Sequence, residues 1–190
     1  MKVFFEIPNL LTCIRIIIAP LIAVFIINKN SIEDSLLIFI LFLIAALSDW
    51  LDGYLARKMG KMTNIGKMLD PIADKLLVIT CFFSLSIVEE LNVFFHFPIL
   101  AIIFREVLVS GIREFLGQIN QVLNVSKLGK WKTATQMTAI GIFLFQDLVY
   151  LETIYFIGIV ILWIALIITI LSGLDYFISS IKTLNNNSMN

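Results

Sequence analysis

Charged residues are scarce in this chain of 190 residues. They make up 15% of it, whereas a soluble domain carries roughly a quarter. Hydrophobic residues make up 59% of the chain and recur in long runs, which a water-soluble protein of this size could not bury. The shortage of charge therefore argues against a soluble protein and predicts one that is embedded in a membrane.

Other features that the sequence lacks exclude particular kinds of binding site and fold. The chain has 14 basic and 14 acidic residues, so it lacks the basic excess typical of nucleic-acid binding, and we expect no nucleic-acid partner. Cys13 and Cys81 lie in apolar segments and His96 is the single histidine, which argues against a disulfide or a zinc site. Strand-like alternation is absent, which argues against an outer-membrane barrel. No internal repeat is visible, which argues against repeat-built transporters.

The apolar runs predict six transmembrane helices of about 20 residues each, and so an all-α, polytopic membrane protein. The predicted spans are approximately 8–27, 32–56, 64–88, 98–118, 131–145 and 153–183. The start of the third span is ambiguous, because Asn64 and Asp70 before Pro71 both suit a helix N-terminus. We expect residues 1–190 to form a single membrane domain that ends in a frayed polar tail at 184–190.

Lysine and arginine predict the orientation of these spans. With six spans both termini lie on one side, and that side also holds the basic links at 57–67 and 127–132. The opposite loops are mostly acidic, so the positive-inside rule puts both termini in the cytoplasm. Ionisable residues inside the spans fall mainly in the cytoplasmic half, where such groups usually face a cavity. We expect one polar chamber that opens to the cytoplasm.

Four aspartates gather within residues 48–75. Asp49 and Asp52 are three apart and Asp70 and Asp74 are four apart, so each pair shares one face of a helix. Carboxylates this close repel one another unless a cation lies among them, and hard divalent ions suit oxygen ligands. Two ions held in this way are typical of phosphoryl chemistry. The alternative is that the acids are helix caps and ion-pair partners.

One pattern in this region has eight fixed positions. It reads Asp49-x2-Asp52-Gly53-x2-Ala56-Arg57-x8-Gly66-x3-Asp70-x3-Asp74. At every one of them it resembles the signature of the CDP-alcohol phosphatidyltransferase family. The segments PNLLTCIRIIIAP, LDPIADKLL, FREVLVSGIRE, LGKWKTATQM and LSGLDYF resemble the branch that forms phosphatidylglycerophosphate. The resemblance implies a six-helix membrane enzyme, usually a homodimer, that lies among membrane lipids and takes CDP-diacylglycerol as its donor.

The resemblance also implies the roles of the residues. The four aspartates are expected to hold two divalent ions, Mg²⁺ or Mn²⁺. Asp74 is also expected to act as general base, taking the proton of an acceptor alcohol that attacks the lipid-linked phosphate and expels CMP. The expected CDP-diacylglycerol site consists of Asp52, Gly53, Ala56, Arg57 and Gly66. A bacterial inner membrane, with the active site facing the cytoplasm, is the expected location.

The acceptor implied by this branch is glycerol 3-phosphate, an anion whose pocket needs fixed cations. The candidates are Arg15, Arg105, Arg113, Lys130 and Lys132. Alternatively, the lysines set topology and contact lipid heads, and the two arginines of the fourth span pair with Glu106 or Glu114.

Two sets of rival functions stay open. The same chemistry would serve serine, inositol phosphate or, in cardiolipin synthesis, phosphatidylglycerol as acceptor. A divalent-metal transporter would need polar groups that continue to the outer face, where these spans are apolar.

Overall fold

The computed structural model describes residues 7–59, 64–119, 121 and 127–188. In these ranges it has six α-helices and no strand, which confirms the predicted all-α class. The helices are α1 (Ile7–Asn28), α2 (Ile32–Met59), α3 (Asn64–Val88), α4 (Val93–Gln118), α5 (Lys127–Val149) and α6 (Glu152–Ser188). Within them, the side chains at 7–9, 49–59, 64, 65, 67, 127, 130 and 186–188 lie outside the described part.

Apolar outer faces show that the protein is embedded in a membrane. Among the described residues, four stretches are long and apolar enough to cross a bilayer: Leu10–Asn28, Met68–Val88, Val93–Gln118 and Glu152–Asn185. Large apolar side chains on these helices, such as Ile17, Val24, Phe104 and Ile167, are more than half exposed. Such surface suits lipid rather than water. The predicted number of six spans stays a prediction.

The start of α4 differs from the sequence-based expectation. The loop prediction for the segment before Pro98 is wrong, because α4 already begins at Val93. Asn92 caps this helix, its side chain accepting from the backbone N–H of Phe94 at 2.9 Å. Pro98 lacks the N–H that would normally reach the carbonyl of Phe94. The indole Nε1 of Trp163 donates to that carbonyl instead, at 2.9 Å, so the proline is accommodated inside the helix.

The start of α3 and the end of α6 can also be compared with the sequence-based predictions. Of the two possible starts of α3, the structure has the earlier one, at Asn64, with Pro71 inside the helix. α6 continues to Ser188, so most of the predicted frayed tail at 184–190 is helical.

The turn between α1 and α2 has a local cause. Ser31 and Asp34 form a reciprocal capping box: the backbone N–H of Asp34 donates to Ser31 Oγ, and that of Ser31 donates to Asp34 Oδ2, both at 3.1 Å. Lys29 in the same turn pairs with Asp147 near the end of α5. The C-terminal ends of α1 and α5 therefore lie side by side.

The chain divides into two compact units, Met1–Glu90 with Ile140–Tyr155 and Leu91–Ala139 with Phe156–Asn190. That residues 1–190 form a single domain stays a prediction. In the first unit, α1 packs on α3 through buried residues such as Ile22 and Leu77. In the second, α4 and α6 bury residues such as Ile102 and Ala165.

Contacts along α1 and α3 give their relative direction. Thr12 contacts Asp70, Arg15 contacts Asp74, and the carbonyl of Ala19 accepts from Thr80. The partners rise together along both helices, so α1 and α3 run parallel. One helix, α2, connects them and returns the chain to the starting side.

Candidate active site

Asp70 and Asp74 lie four residues apart on one face of α3, as predicted from their spacing. This face is turned toward α1. Asp70 Oδ1 accepts a hydrogen bond of 2.7 Å from the hydroxyl of Thr12, which is fully buried. A carboxylate held by a buried donor keeps one orientation, which is what a metal ligand requires.

Arg15 is the donor to the second carboxylate. Its Nη1 lies 2.7 Å from Asp74 Oδ1, and its Nε donates to Ser48 Oγ of α2 at 3.3 Å. The Arg15 side chain is fully buried, while the Asp74 side chain is 31% exposed. Arg15 therefore links α1, α2 and α3 at the level of the predicted general base. Its predicted role at the acceptor phosphate stays a prediction.

The remaining positions of the aspartate pattern lie mostly outside the described side chains. Asp49, Asp52, Gly53, Ala56 and Arg57 belong to the backbone of α2, but their side chains are not among those described. Asp49 and Asp52 both belong to α2, and that their side chains share one face stays a prediction. Gly66 is a buried residue near the start of α3.

The described acids of α3 suit a divalent metal ion. No cluster of three or more metal-binding side chains occurs among the described residues, a set that does not include the side chains of Asp49 and Asp52. Asp70 and Asp74 supply carboxylate oxygens, the ligands that Mg²⁺ and Mn²⁺ prefer. Their orientation by Thr12 and Arg15 is of the kind that outer partners provide around metal ligands.

A second polar cluster, in the other unit, is centred on the carboxylate of Glu106. This residue of α4 is 3% exposed. Its Oε1 accepts from Lys132 Nζ at 2.6 Å, and from Arg105 Nη1 and Gln136 Nε2 at 3.4 Å each. The predicted cations Arg105 and Lys132 are thus brought together. The alternative in which Arg105 pairs with Glu106 is also realised.

Arg105 extends from α4 to α6. Its Nη2 donates to Ser172 Oγ at 2.9 Å, and its side chain lies directly over Gly173. A Cβ at Gly173 would come within 2.9 Å of Arg105 Nε and 3.2 Å of Cγ. Glycine is therefore needed there for the arginine to keep its path.

The other predicted cations have different surroundings. The guanidinium of Arg113 lies over the ring of Tyr176, 5.5 Å from its centroid, which is a cation–π contact. The side chain of Lys130 lies outside the described residues. That all these residues line one chamber stays a prediction.

Sequence reasoning missed several residues of these clusters. Ser48 contacts Arg15, and Gln136, Thr169 and Ser172 complete the Glu106 cluster. The sequence signal for such residues is a polar side chain within an apolar run, because a buried polar group needs a hydrogen-bond partner. Serine and threonine also bond within their own helices, so this signal alone does not reveal a shared site.

Apolar helices of membrane-spanning length define the class of this protein: it is an integral membrane protein, with two networks of buried charge in its described part. Its sequence matches the model of the CDP-alcohol phosphatidyltransferase family over residues 5–171. The chain belongs to this family, whose members generally depend on divalent metal ions.

Named relatives match along nearly the whole chain. A relative from Rickettsia prowazekii is 41% identical over 93% of this chain and 96% of the relative. A relative from Haemophilus influenzae is 39% identical over 90% of this chain and 91% of the relative. One from Bacillus subtilis is 35% identical over 91% of this chain and 94% of the relative. Each is named CDP-diacylglycerol–glycerol-3-phosphate 3-phosphatidyltransferase.

Proposed function

We propose that this protein transfers the phosphatidyl group of CDP-diacylglycerol to glycerol 3-phosphate, forming phosphatidylglycerophosphate and releasing CMP. The observation that carries the proposal is the agreement of its relatives. At 35–42% identity over most of the chain, they share the name of this activity. The unaltered aspartate pattern supports an active enzyme, since every position of the family signature is present.

The proposed metal ligands are Asp49, Asp52, Asp70 and Asp74, which would hold two Mg²⁺ or Mn²⁺ ions. Bound ions supply positive charge for the phosphate under attack and for the leaving group. The contacts of Thr12 with Asp70 and of Arg15 with Asp74 support this assignment, because they fix the carboxylates before any ligand arrives.

In the proposed reaction Asp74 takes the proton from the acceptor hydroxyl. The hydroxyl oxygen forms a bond to the lipid-linked phosphorus, and the bond between that phosphorus and the CMP oxygen breaks. Arg15 keeps the Asp74 carboxylate in position for this proton transfer. Asp52, Gly53, Ala56, Arg57 and Gly66 are the proposed contacts of CDP-diacylglycerol.

The phosphate of glycerol 3-phosphate would be bound by cations. The proposed set is Arg15, Arg105, Arg113, Lys130 and Lys132. The clustering of Arg105 with Lys132 supports this choice, because two cations held on one carboxylate form a compact positive site. Within its own unit, Arg15 pairs with Asp74.

We also propose six membrane spans, both termini in the cytoplasm, a location in the inner membrane and a homodimer. The parallel direction of α1 and α3 supports alternating spans, since α2 then crosses between them. Lys29 and Asp147 lie at the far end of α1 from Thr12 and Arg15. This supports placing the aspartates on the cytoplasmic side, where the basic links lie.

The experiment is an acceptor screen with the purified full chain. CMP release from CDP-diacylglycerol in Mg²⁺ would be measured with glycerol 3-phosphate, serine, inositol phosphate, phosphatidylglycerol or no acceptor. We expect release that depends on glycerol 3-phosphate and yields phosphatidylglycerophosphate. Asp74→Asn is the control, with turnover abolished and folding kept. Release that is independent of glycerol 3-phosphate would overturn the assignment, and full activity of Asp74→Asn would remove Asp74 as the base.

A further inference from the structure

The Glu106 cluster contains more than the two cations that a phosphate would need. Lys132, Arg105 and Gln136 all donate to one oxygen of the Glu106 carboxylate. Gln136 is itself fixed by a 2.9 Å hydrogen bond to Thr169 of α6. Three helices thus hold this carboxylate and, through it, the ends of two long flexible side chains.

We propose that Glu106 and Gly173 are positioning residues that hold Arg105 and Lys132 as a preorganised cation pair for the acceptor phosphate. This inference rests on the proposed function and adds to it two residues that set affinity for the acceptor. Glu106 acts through the two cations, and Gly173 acts by leaving space for Arg105. Neither contacts the substrate itself.

Exposure within the cluster supports this division of roles. The Glu106 side chain is 3% exposed, whereas those of Arg105 and Lys132 are 14% and 12% exposed. An incoming anion would meet the cations and not the acid. The three side chains together carry one net positive charge, so the carboxylate holds the cations without cancelling them.

Arg105 also shows that the cluster is more than a closed ion pair. Its Nη1 and Nη2 donate to Glu106 and Ser172, but its buried Nε has no hydrogen-bond partner among the described residues. A buried donor without a partner is unfavourable, so such a group in a native protein calls for a functional reason. The guanidinium follows the path that Gly173 permits, and this path aims it at Glu106 and Ser172.

A phosphate bound by fixed cations does not have to order them, so preorganisation lowers the cost of binding. Two opposite outcomes then distinguish positioning from simple charge. If Glu106 only weakened the positive site, its neutral replacement would strengthen glycerol 3-phosphate binding. If Glu106 positions the cations, the same replacement weakens binding although the site becomes more positive.

The test uses the full chain in detergent–lipid micelles, with KM for each substrate and kcat measured separately. For Glu106→Gln we expect KM for glycerol 3-phosphate to rise about tenfold or more, as for the loss of a charge-assisted hydrogen bond. KM for CDP-diacylglycerol should stay within about twofold, because the cation pair is proposed to bind only the acceptor. A general loss of packing would instead raise KM for both substrates. Glu106→Asp, which keeps the charge, should recover part of the affinity.

Gly173→Ala tests the same idea without changing any charge. The new methyl group would displace Arg105, and we expect KM for glycerol 3-phosphate to rise about threefold or more. Gly111→Ala on α4 is the matched control, because a Cβ there meets nothing within 4 Å, and its kinetics should equal those of the wild type.

Several outcomes would overturn the inference. One is an unchanged or lowered KM for glycerol 3-phosphate in both Glu106→Gln and Gly173→Ala. Equal rises for the two substrates, or aggregation of both variants in size-exclusion chromatography, would show a role in folding only. If just one variant folds, its kinetics decide. A wild type that releases CMP without needing glycerol 3-phosphate would instead refute the proposed function, so the two failures are distinguishable.

Discussion

The ion pair between Arg15 and Asp74 allows a quantitative prediction. Arg15→Met keeps a long side chain but removes the charge and the donors to Asp74 and Ser48. Breaking a fully buried ion pair costs roughly 3–5 kcal/mol. Since the Asp74 side chain is 31% exposed, water stabilises the remaining carboxylate in part. We therefore expect the free energy of unfolding to fall by about 2 kcal/mol.

A double-mutant cycle isolates the pair from other effects of the substitution. The wild type, Arg15→Met, Asp74→Asn and the double variant would be unfolded by denaturant in one detergent without divalent ions, with tryptophan fluorescence as the signal. We expect a coupling energy of about 1–2 kcal/mol, typical of residues in contact. Arg15→Met combined with Asp147→Asn is the control. Asp147 contacts Lys29, about 20 Å from Arg15 along α1, so these effects should add.

The reasoning fails if the Arg15 and Asp74 substitutions are additive within about 0.5 kcal/mol. It also fails if Arg15→Met is more stable than the wild type. In that case the cost of removing the guanidinium from water would exceed its attraction to Asp74.

Two further predictions concern the metal ions and α4. Chelation with EDTA should abolish CMP release and added Mg²⁺ or Mn²⁺ should restore it, whereas release that persists in the chelator would contradict the two-ion proposal. Trp163→Phe should lower the free energy of unfolding by about 1 kcal/mol, because the carbonyl of Phe94 loses its donor. In a Pro98→Ala background the loss should be smaller, since the new backbone N–H reaches the same carbonyl; an equal loss in both backgrounds would refute this account.

Local rules predict part of this site well. Asp70 and Asp74 are four apart in a strongly apolar run, so helix geometry alone puts them on one face. Their partners are not predictable in this way. Thr12 and Arg15 lie 58 and 59 residues away along the chain, and only the packing of α1 on α3 brings them to the carboxylates.

The start of α4 shows a local rule overridden by a distant residue. Proline favours the first turn of a helix, which places the predicted start at Pro98. The helix begins earlier because Asn92 caps it and Trp163 of α6 replaces the missing hydrogen bond. The second of these partners is 69 residues from Phe94, and no pattern near Pro98 indicates it.

The cations of the candidate acceptor site illustrate the same limit. Charge and span position are enough to select Arg105 and Lys132, because charged groups at membrane depth usually have a function or a partner. Their convergence on Glu106 depends on the rotation of α4 and α5 about their axes. So does the close approach of Arg105 to Gly173, which sequence spacing does not determine.

The parallel contact of α1 with α3 has a consequence for biogenesis. Arg15 is synthesised 59 residues before Asp74, an interval of about 3–12 s at a rate of ~5–20 residues per second. During this time α1 carries a cation in an apolar segment with its partner not yet made, which is costly in a bilayer. When α3 emerges, Arg15 and Thr12 offer its two carboxylates immediate partners within the membrane. We therefore expect the first helix to assist the insertion of the third, and loss of Arg15 to lower the yield of inserted protein as well as its stability.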